Sequence, residues 1–260
     1  MASQLQISIT ERPLLAAAGT IGIVFAAIAF RDYQNYCSLG PHGLPATFWG
    51  WYTQLKMTRM ARKDVTVPAP YDIDNVAGPH DKEQFLPQDA SRALKWRPGN
   101  KAPQIPNFVA PQRQTSDIAS EELKKAMYSY LDMLVESHNS VLQTQKSILE
   151  GPVPAVGIKN FASLPDAKKP DVYRSTRGEI IHIHPPDGST HLIMSLADQK
   201  SVIETGWGRR HRLSGGGRLP WNYTFTYAPR NEMEFVVWKT LVGAAVEFCL
   251  ANSAGRADQK

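Results

Sequence analysis

The chain has almost no cysteine. Cys37 and Cys249 are the only two in 260 residues, too few and too far apart for a disulfide framework or a thiolate metal site, so both are read as free thiols. It also lacks a strong charge bias: 29 Lys and Arg stand against 24 Asp and Glu, and so dispersed an excess does not read as a nucleic-acid footprint, though it favours an anionic membrane surface. No G-x-S-x-G, P-loop, dinucleotide fingerprint or H-E-x-x-H occurs, which disfavours the usual serine hydrolases, nucleotide enzymes and zinc proteases. There is no internal repeat, and the 42% of hydrophobic residues is ordinary for a chain that folds around a core.

One long apolar run is present. Pro13 to Phe30 carries no charge and is bracketed by Glu11 and Arg12 before and Arg31 and Asp32 after. As a helix it would be about 27 Å long, close to the thickness of a bilayer core. Ala27-Ile28-Ala29 fits a signal-peptidase pattern, but the run is long and its leader barely positive, so a retained single-pass anchor is the preferred reading. Phe48, Trp49, Trp51 and Tyr52, then Lys56, Arg59, Arg62 and Lys63, give the aromatic-then-basic order of an interfacial helix, with a plain core helix as the alternative. Asn222-Tyr223-Thr224 is a sequon, usable only on a lumenal or outer side; the domain is expected to face the cytosol from an internal membrane such as the endoplasmic reticulum.

The pattern divides the chain into a tail and anchor (1–35), an interfacial amphipathic helix (36–63), a proline-rich extended arm (64–116), an α+β domain (117–253) and a flexible tail (254–260). The arm holds eight prolines, from Pro68 to Pro111, and few periodic apolar positions. Beyond Asp117, the spacing of Leu123, Met127, Tyr130 and Leu134 predicts an amphipathic helix, and residues 141–149 read as a strand. A loop with Pro152, Pro154, Pro165 and Pro170 follows. Glu179–His184 and Thr190–Leu196 alternate as strands around a Pro185–Ser189 turn, a predicted hairpin. A short helix at 198–204, a Gly, Arg and Trp-rich loop to Leu219, a strand at 223–227 and a long C-terminal helix complete the chain. Asn231 and Glu234 fit the start of that helix, and Phe235, Trp238, Val242, Ala245 and Cys249 its buried face. The fold class is α+β: an antiparallel sheet packed with two long helices, preceded by a transmembrane helix and a proline-rich arm.

His182 and His184 share a strand face, and a hairpin partner brings His191 beside them. Such a cluster has two uses. As metal ligands, the three imidazoles would stand alone, since Glu179 has the opposite strand parity and no carboxylate shares their face. As acid and base groups they need only a neighbour to set their tautomers. Arg210 and His211, in Gly206–His211, are candidates to stabilise an anionic substrate, with Trp207 as an aromatic wall. Tyr227, Arg230 and Glu232, between strand and last helix, are candidates to reach the same pocket, although capping explains much of that run.

Four stretches, in order, resemble the fungal luciferase family: Glu179-Ile180-Ile181-His182-Ile183-His184, Thr190-His191-Leu192, Gly206-Trp207-Gly208-Arg209-Arg210-His211 and Tyr227-Ala228-Pro229-Arg230-Asn231-Glu232. The similarity is strongest over Arg174 to Leu250, and Arg31-Asp32-Tyr33-Gln34 with Gly40-Pro41 is similar to that family's anchor. The resemblance implies a luciferase-like oxygenase. Luminous members oxidise hydroxyhispidin, a styrylpyrone, with molecular oxygen as co-substrate and no added cofactor; light emission by this chain does not follow. On that reading His182, His184 or His191 is the base, Arg210 and His211 supply positive field, and Trp207 and Tyr227 are the walls. The expected partners are a small aromatic or pyrone substrate and membrane lipid, with no nucleic acid. The alternatives are a three-His metal-dependent oxygenase or hydrolase binding a divalent ion, and a non-enzymatic binder of lipid or aromatic ligand.

Overall fold

Short runs rich in Ile, Val, Thr and Tyr, separated by Gly and Pro, pair into one antiparallel sheet. Its strands are β1 (Leu142–Lys146), β2 (Pro154–Ile158), β3 (Glu179–Ile183), β4 (Thr190–Ile193), β5 (Gly208–Arg210) and β6 (Tyr223–Thr226), in the order β1-β2-β3-β4-β6-β5. The computed structural model describes residues 13–40, 43–68, 74, 77–87, 94, 96–99 and 101–254. The tail before Pro13, Pro41, Pro70 and the tail beyond Ala254 lie outside the described residues.

Five α-helices occur among the described residues: α1 (Pro13–Cys37), α2 (Phe48–Met57), α3 (Glu121–Ser137), α4 (Leu196–Glu204) and α5 (Glu232–Ala254). Ser120 caps α3 by accepting the Leu123 N–H, and Asn231 caps α5 by accepting that of Glu234. Both long helices cover one face of the sheet. Trp238 of α5 donates its indole N–H to Thr190 Oγ1 at 3.0 Å, so Thr190 and Leu192, with their partners Ile183 and Ile181, point into the helical layer. By alternation His182, His191 and Phe225 point to the other face.

The described residues of the proline-rich arm line the sheet edge and pack against both faces. Val65 O accepts the Arg210 N–H and the Arg62 N–H donates to Arg212 O, which pairs the edge of β5. Asp198 accepts the Phe85 and Leu86 N–H groups, Ala228 N–H donates to Gln114, and Leu86 and Val109 join the main core.

α1 is long and apolar enough to cross a membrane, and its Leu14, Ile23 and Phe25 are exposed. α2 starts only at Phe48, capped by Thr47, and is shorter than the helix expected over 36–63. Its Phe48, Trp49, Tyr52 and Leu55 are exposed, and Trp51 Nε1–H donates to Asp32 at 2.7 Å, fastening it to α1.

Three other expectations change. The loop expected after Glu150 contains β2, because Pro154 sits at the strand's first position, where the missing N–H costs little. The loop expected before Leu219 contains β5, too short at three residues to show a period. Asn222 of the sequon is buried and donates to Asp81 and to Met194 O, so it belongs to the core.

Candidate active site

The β3–β4 hairpin builds the histidine cluster. His182 is paired directly with His191, and His184 sits at the mouth of the turn, where its N–H donates to Ser189 O and its carbonyl accepts the Gly188 N–H, both at 2.8 Å. Gly188 holds φ +79°, and an added Cβ would lie 2.7 Å from Ala119 Cβ, so a side chain here would be both strained and crowded. The three ring centroids lie 4.7 to 5.2 Å apart, and one nitrogen from each ring lies within 4.8 Å of the others. All three side chains are at most 4% exposed.

A carboxylate does share this face, against the expectation from strand parity. The register shifts between β2 and β3: Val156 pairs with Ile181 and Gly157 with Glu179, leaving Ile180 as a bulged extra residue. The bulge turns Glu179 onto the histidine side. Its Oε1 lies 2.5 Å from His182 Nδ1, while Ser147 Oγ–H and Ile148 N–H also donate to its carboxylate. A second relay ends on His184, whose Nδ1 lies 2.8 Å from Ser189 Oγ; Ser189 donates to Asp187 Oδ2 at 2.7 Å. Asp187 also accepts the Gln114 N–H of the arm.

These contacts fix tautomers. A carboxylate only accepts, so His182 Nδ1 carries the proton toward Glu179. Ser189 spends its proton on Asp187, so His184 Nδ1 donates to Ser189. The two Nε2 atoms then face each other across 3.2 Å. His211 lies beside His191 with ring centroids 4.9 Å apart, and its Nδ1 accepts the Leu213 N–H at 3.0 Å, which leaves the proton on Nε2.

Burial dominates the electrostatics. It pushes His184 and His191 well below the ordinary histidine value, and the Arg113 charge and neighbouring imidazoles push the same way. His211 falls to about 3, through burial first and then His182, Arg209 and Arg212. The Asp187 carboxyl is raised to about 6 by burial, against the pull of Ser189, Arg113 and Gln114. His184, His191 and His211 are therefore neutral near pH 7.

Several expected residues lie elsewhere. Arg210 pairs with Thr224 on the helical face and meets Asp64 at 3.1 Å. The arginine of β5 that shares the histidine face is Arg209, paired with Phe225. Trp207 is buried in the main core. Tyr227 lines a separate pocket with Arg97 and Thr66. Arg230 binds Glu234 and Asp117, and Glu232 is exposed at the start of α5. Glu179, Asp187, Ser189 and Arg113 were not expected. The i, i+3 spacing of Glu179 with His182 and of His184 with Asp187 is the signal that marks the first two; nothing in the arm's sequence marks Arg113.

A cavity of about 300 Å³ opens onto the cluster, the lower end of the range for small-molecule sites. His191, His211 and Tyr223 form its floor, and its walls come from Leu44, Met57 of α2, Ala110 to Gln112 of the arm, Leu149 and Leu219. His191 and Tyr223 stack 4.9 Å apart.

Comparison with known proteins finds a family model, described as a luciferase domain, over residues 177–245. The chain is 30% identical to a luciferase of Neonothopanus nambi over 91% of this chain and 89% of that protein. It is 30% identical to a luciferase of Armillaria ostoyae, over 93% and 90%, and 28% identical to one of Armillaria gallica, over 93% and 90%. No solved structure matches.

Proposed function

Since the chain belongs to the fungal luciferase family, we propose that it is a membrane-anchored oxygenase that adds molecular oxygen to a small, planar, acidic aromatic or pyrone metabolite of the hydroxyhispidin kind. The cavity floored by His191 and His211 is the observation that carries this reading. An enol or phenol proton passes to the cluster through His191, the member of the three that the cavity touches. The resulting anion is electron-rich, and its carbon bonds to oxygen to give a peroxide anion that takes the proton back. His211, whose Nδ1 accepts the Leu213 N–H and whose proton is therefore on Nε2, is the donor assigned to the oxyanion. A neutral imidazole with a lowered pKa is a poor base in isolation, but the substrate anion left beside it stabilises the imidazolium, so both charges form as a pair. No organic redox cofactor enters the proposal.

Leu44 and Met57 place one wall of the cavity next to the helix whose aromatic side chains are exposed beside the anchor. An apolar substrate dissolved in the bilayer therefore reaches the cavity from the membrane side. The test is oxygen consumption and product analysis with hydroxyhispidin and simpler phenolic pyrones, with light recorded in parallel. Uptake is expected and should fall at least about 100-fold in His211→Ala and His191→Ala. No uptake with any of these compounds refutes the substrate class, and uptake that survives both substitutions refutes the site.

A further inference from the structure

Two imidazoles whose Nδ1 atoms face outward acceptors turn their Nε2 atoms toward each other, a pairing that a shared proton or a metal ion satisfies. His182 and His184 stand in that arrangement at 3.2 Å. Two nitrogens bound tetrahedrally at 2.0 to 2.1 Å from one ion would lie roughly 3.3 Å apart, nearly the observed spacing. His191 brings the third nitrogen within 4.8 Å. Its Nδ1 is buried and has no hydrogen-bond partner among the described residues, although the ring is only 4% exposed. Closing the set takes a shift of roughly 1.5 Å or less.

We propose that His182, His184 and His191 bind one divalent first-row transition ion. The outer contacts have the form such sites require: Glu179 on His182 Nδ1, and Asp187 through Ser189 on His184 Nδ1. A carboxylate behind a ligand imidazole fixes the ring and strengthens its lone pair. An all-imidazole set favours zinc, copper, iron, cobalt or nickel over calcium and magnesium, which take oxygen ligands. Three protein ligands leave a coordination position open, and His191 lies in the cavity wall, so that position faces the space assigned to substrate. The ion replaces the cofactor-free expectation; with it bound, His191 serves as a ligand and not as the proton acceptor, and the ion's charge lies beside the substrate anion. Its use rests on the oxygenase reading, but its binding does not.

The test uses the full-length chain in detergent, purified without a polyhistidine tag, stripped by chelator, and titrated with cobalt(II). Expected is one cobalt per chain, with the visible absorption of a four- or five-coordinate ion, and a rise in unfolding temperature on loading. His182→Ala, His184→Ala and His191→Ala should each weaken binding at least about 100-fold, while His138→Ala on the far end of α3 leaves it unchanged; Glu179→Gln should weaken it 10- to 100-fold. The milder His191→Gln keeps the test valid if an alanine variant does not fold. Elemental analysis of the protein as isolated should find a transition metal in proportion to chain. Cobalt that binds no more tightly to the wild type than to the three histidine variants overturns the site. Metal binding without oxygen uptake on any pyrone refutes the proposed substrate and leaves the metal site standing.

Discussion

Glu179→Gln perturbs the histidine face with the smallest change in shape. The carboxylate accepts from Ser147, from Ile148 N–H at 2.7 Å and from His182 Nδ1 at 2.5 Å. The amide has one acceptor oxygen and one donor nitrogen, and two arrangements follow. If the nitrogen faces Ile148, two N–H groups oppose each other and a backbone donor is orphaned, at a cost of about 1–3 kcal/mol, added to the loss of a charged acceptor. If the nitrogen faces His182, Nδ1 must give up its proton and Nε2 takes it, pointing into the cluster. Either way the fold should lose about 2–3 kcal/mol, which for a domain of this size lowers the unfolding temperature by roughly 4–12 °C. Differential scanning of the chelator-treated protein reads the first quantity, and two-dimensional nitrogen NMR of labelled histidines reads the tautomer of His182. A variant within about 0.5 kcal/mol of wild type, with an unchanged histidine spectrum, would falsify the account of the bulge and its carboxylate.

Other perturbations reach the rest of the molecule. Glu234 is buried between Arg97 of the arm and Arg230, so Glu234→Gln should cost about 3 kcal/mol or more, and the Arg97→Met/Glu234→Leu pair should recover part of it; a loss below about 1 kcal/mol in urea unfolding contradicts the pairing. Gly178 has φ +85°, and an added Cβ would meet Phe161 at 2.5 Å, so Gly178→Ala should lose about 2 kcal/mol or more and loosen the bulge beside it, and wild-type stability would rule that out. Burial raises the Asp81 and Asp198 carboxyls above 3.8. The folded chain keeps protons there that the unfolded chain has released, so this contribution is complete below 3.8 and is lost as pH rises through the raised folded values. Asp198→Asn should flatten that part of a stability profile taken between about pH 4 and 7, and an unaltered slope counts against it. Leu149→Trp fills the cavity and should raise KM for a pyrone with little change in unfolding temperature; unchanged kinetics would mean that substrate binds elsewhere.

The sequence displays the parts of this fold that have a period. The 3–4 spacing on α3 and α5 and the alternation along β3 and β4 locate the helical layer and the hairpin, and the hairpin alone is enough to bring His191 beside His182. Alternation fails where the chain adds one residue. Ile180 bulges, Glu179 changes face, and a cluster that parity leaves without a carboxylate has one within hydrogen-bonding distance. Register decides the arginines as well. Arg209 and Arg210 are adjacent in β5, and only pairing to β6 tells which of them faces the histidines. The arm is the least legible part, because its contacts are made by isolated backbone groups and by single side chains such as Arg97 and Arg113 over separations of more than thirty residues.

The arm divides the pocket between two kinds of sequence. The floor, His191, His211 and Tyr223, and the Leu219 wall lie within the stretch that the luciferase family model covers; Leu44, Met57, Ala110 to Gln112 and Leu149, which form the other walls, lie outside it. On the proposed reading, chemistry and much of selectivity can thus change independently along this chain. A relative that keeps the hairpin and rewrites the arm would keep its reactive nitrogens and meet a different molecule, and a chimaera that exchanges residues 43–57 and 104–114 between two such proteins should exchange their substrates while each floor stays where it is.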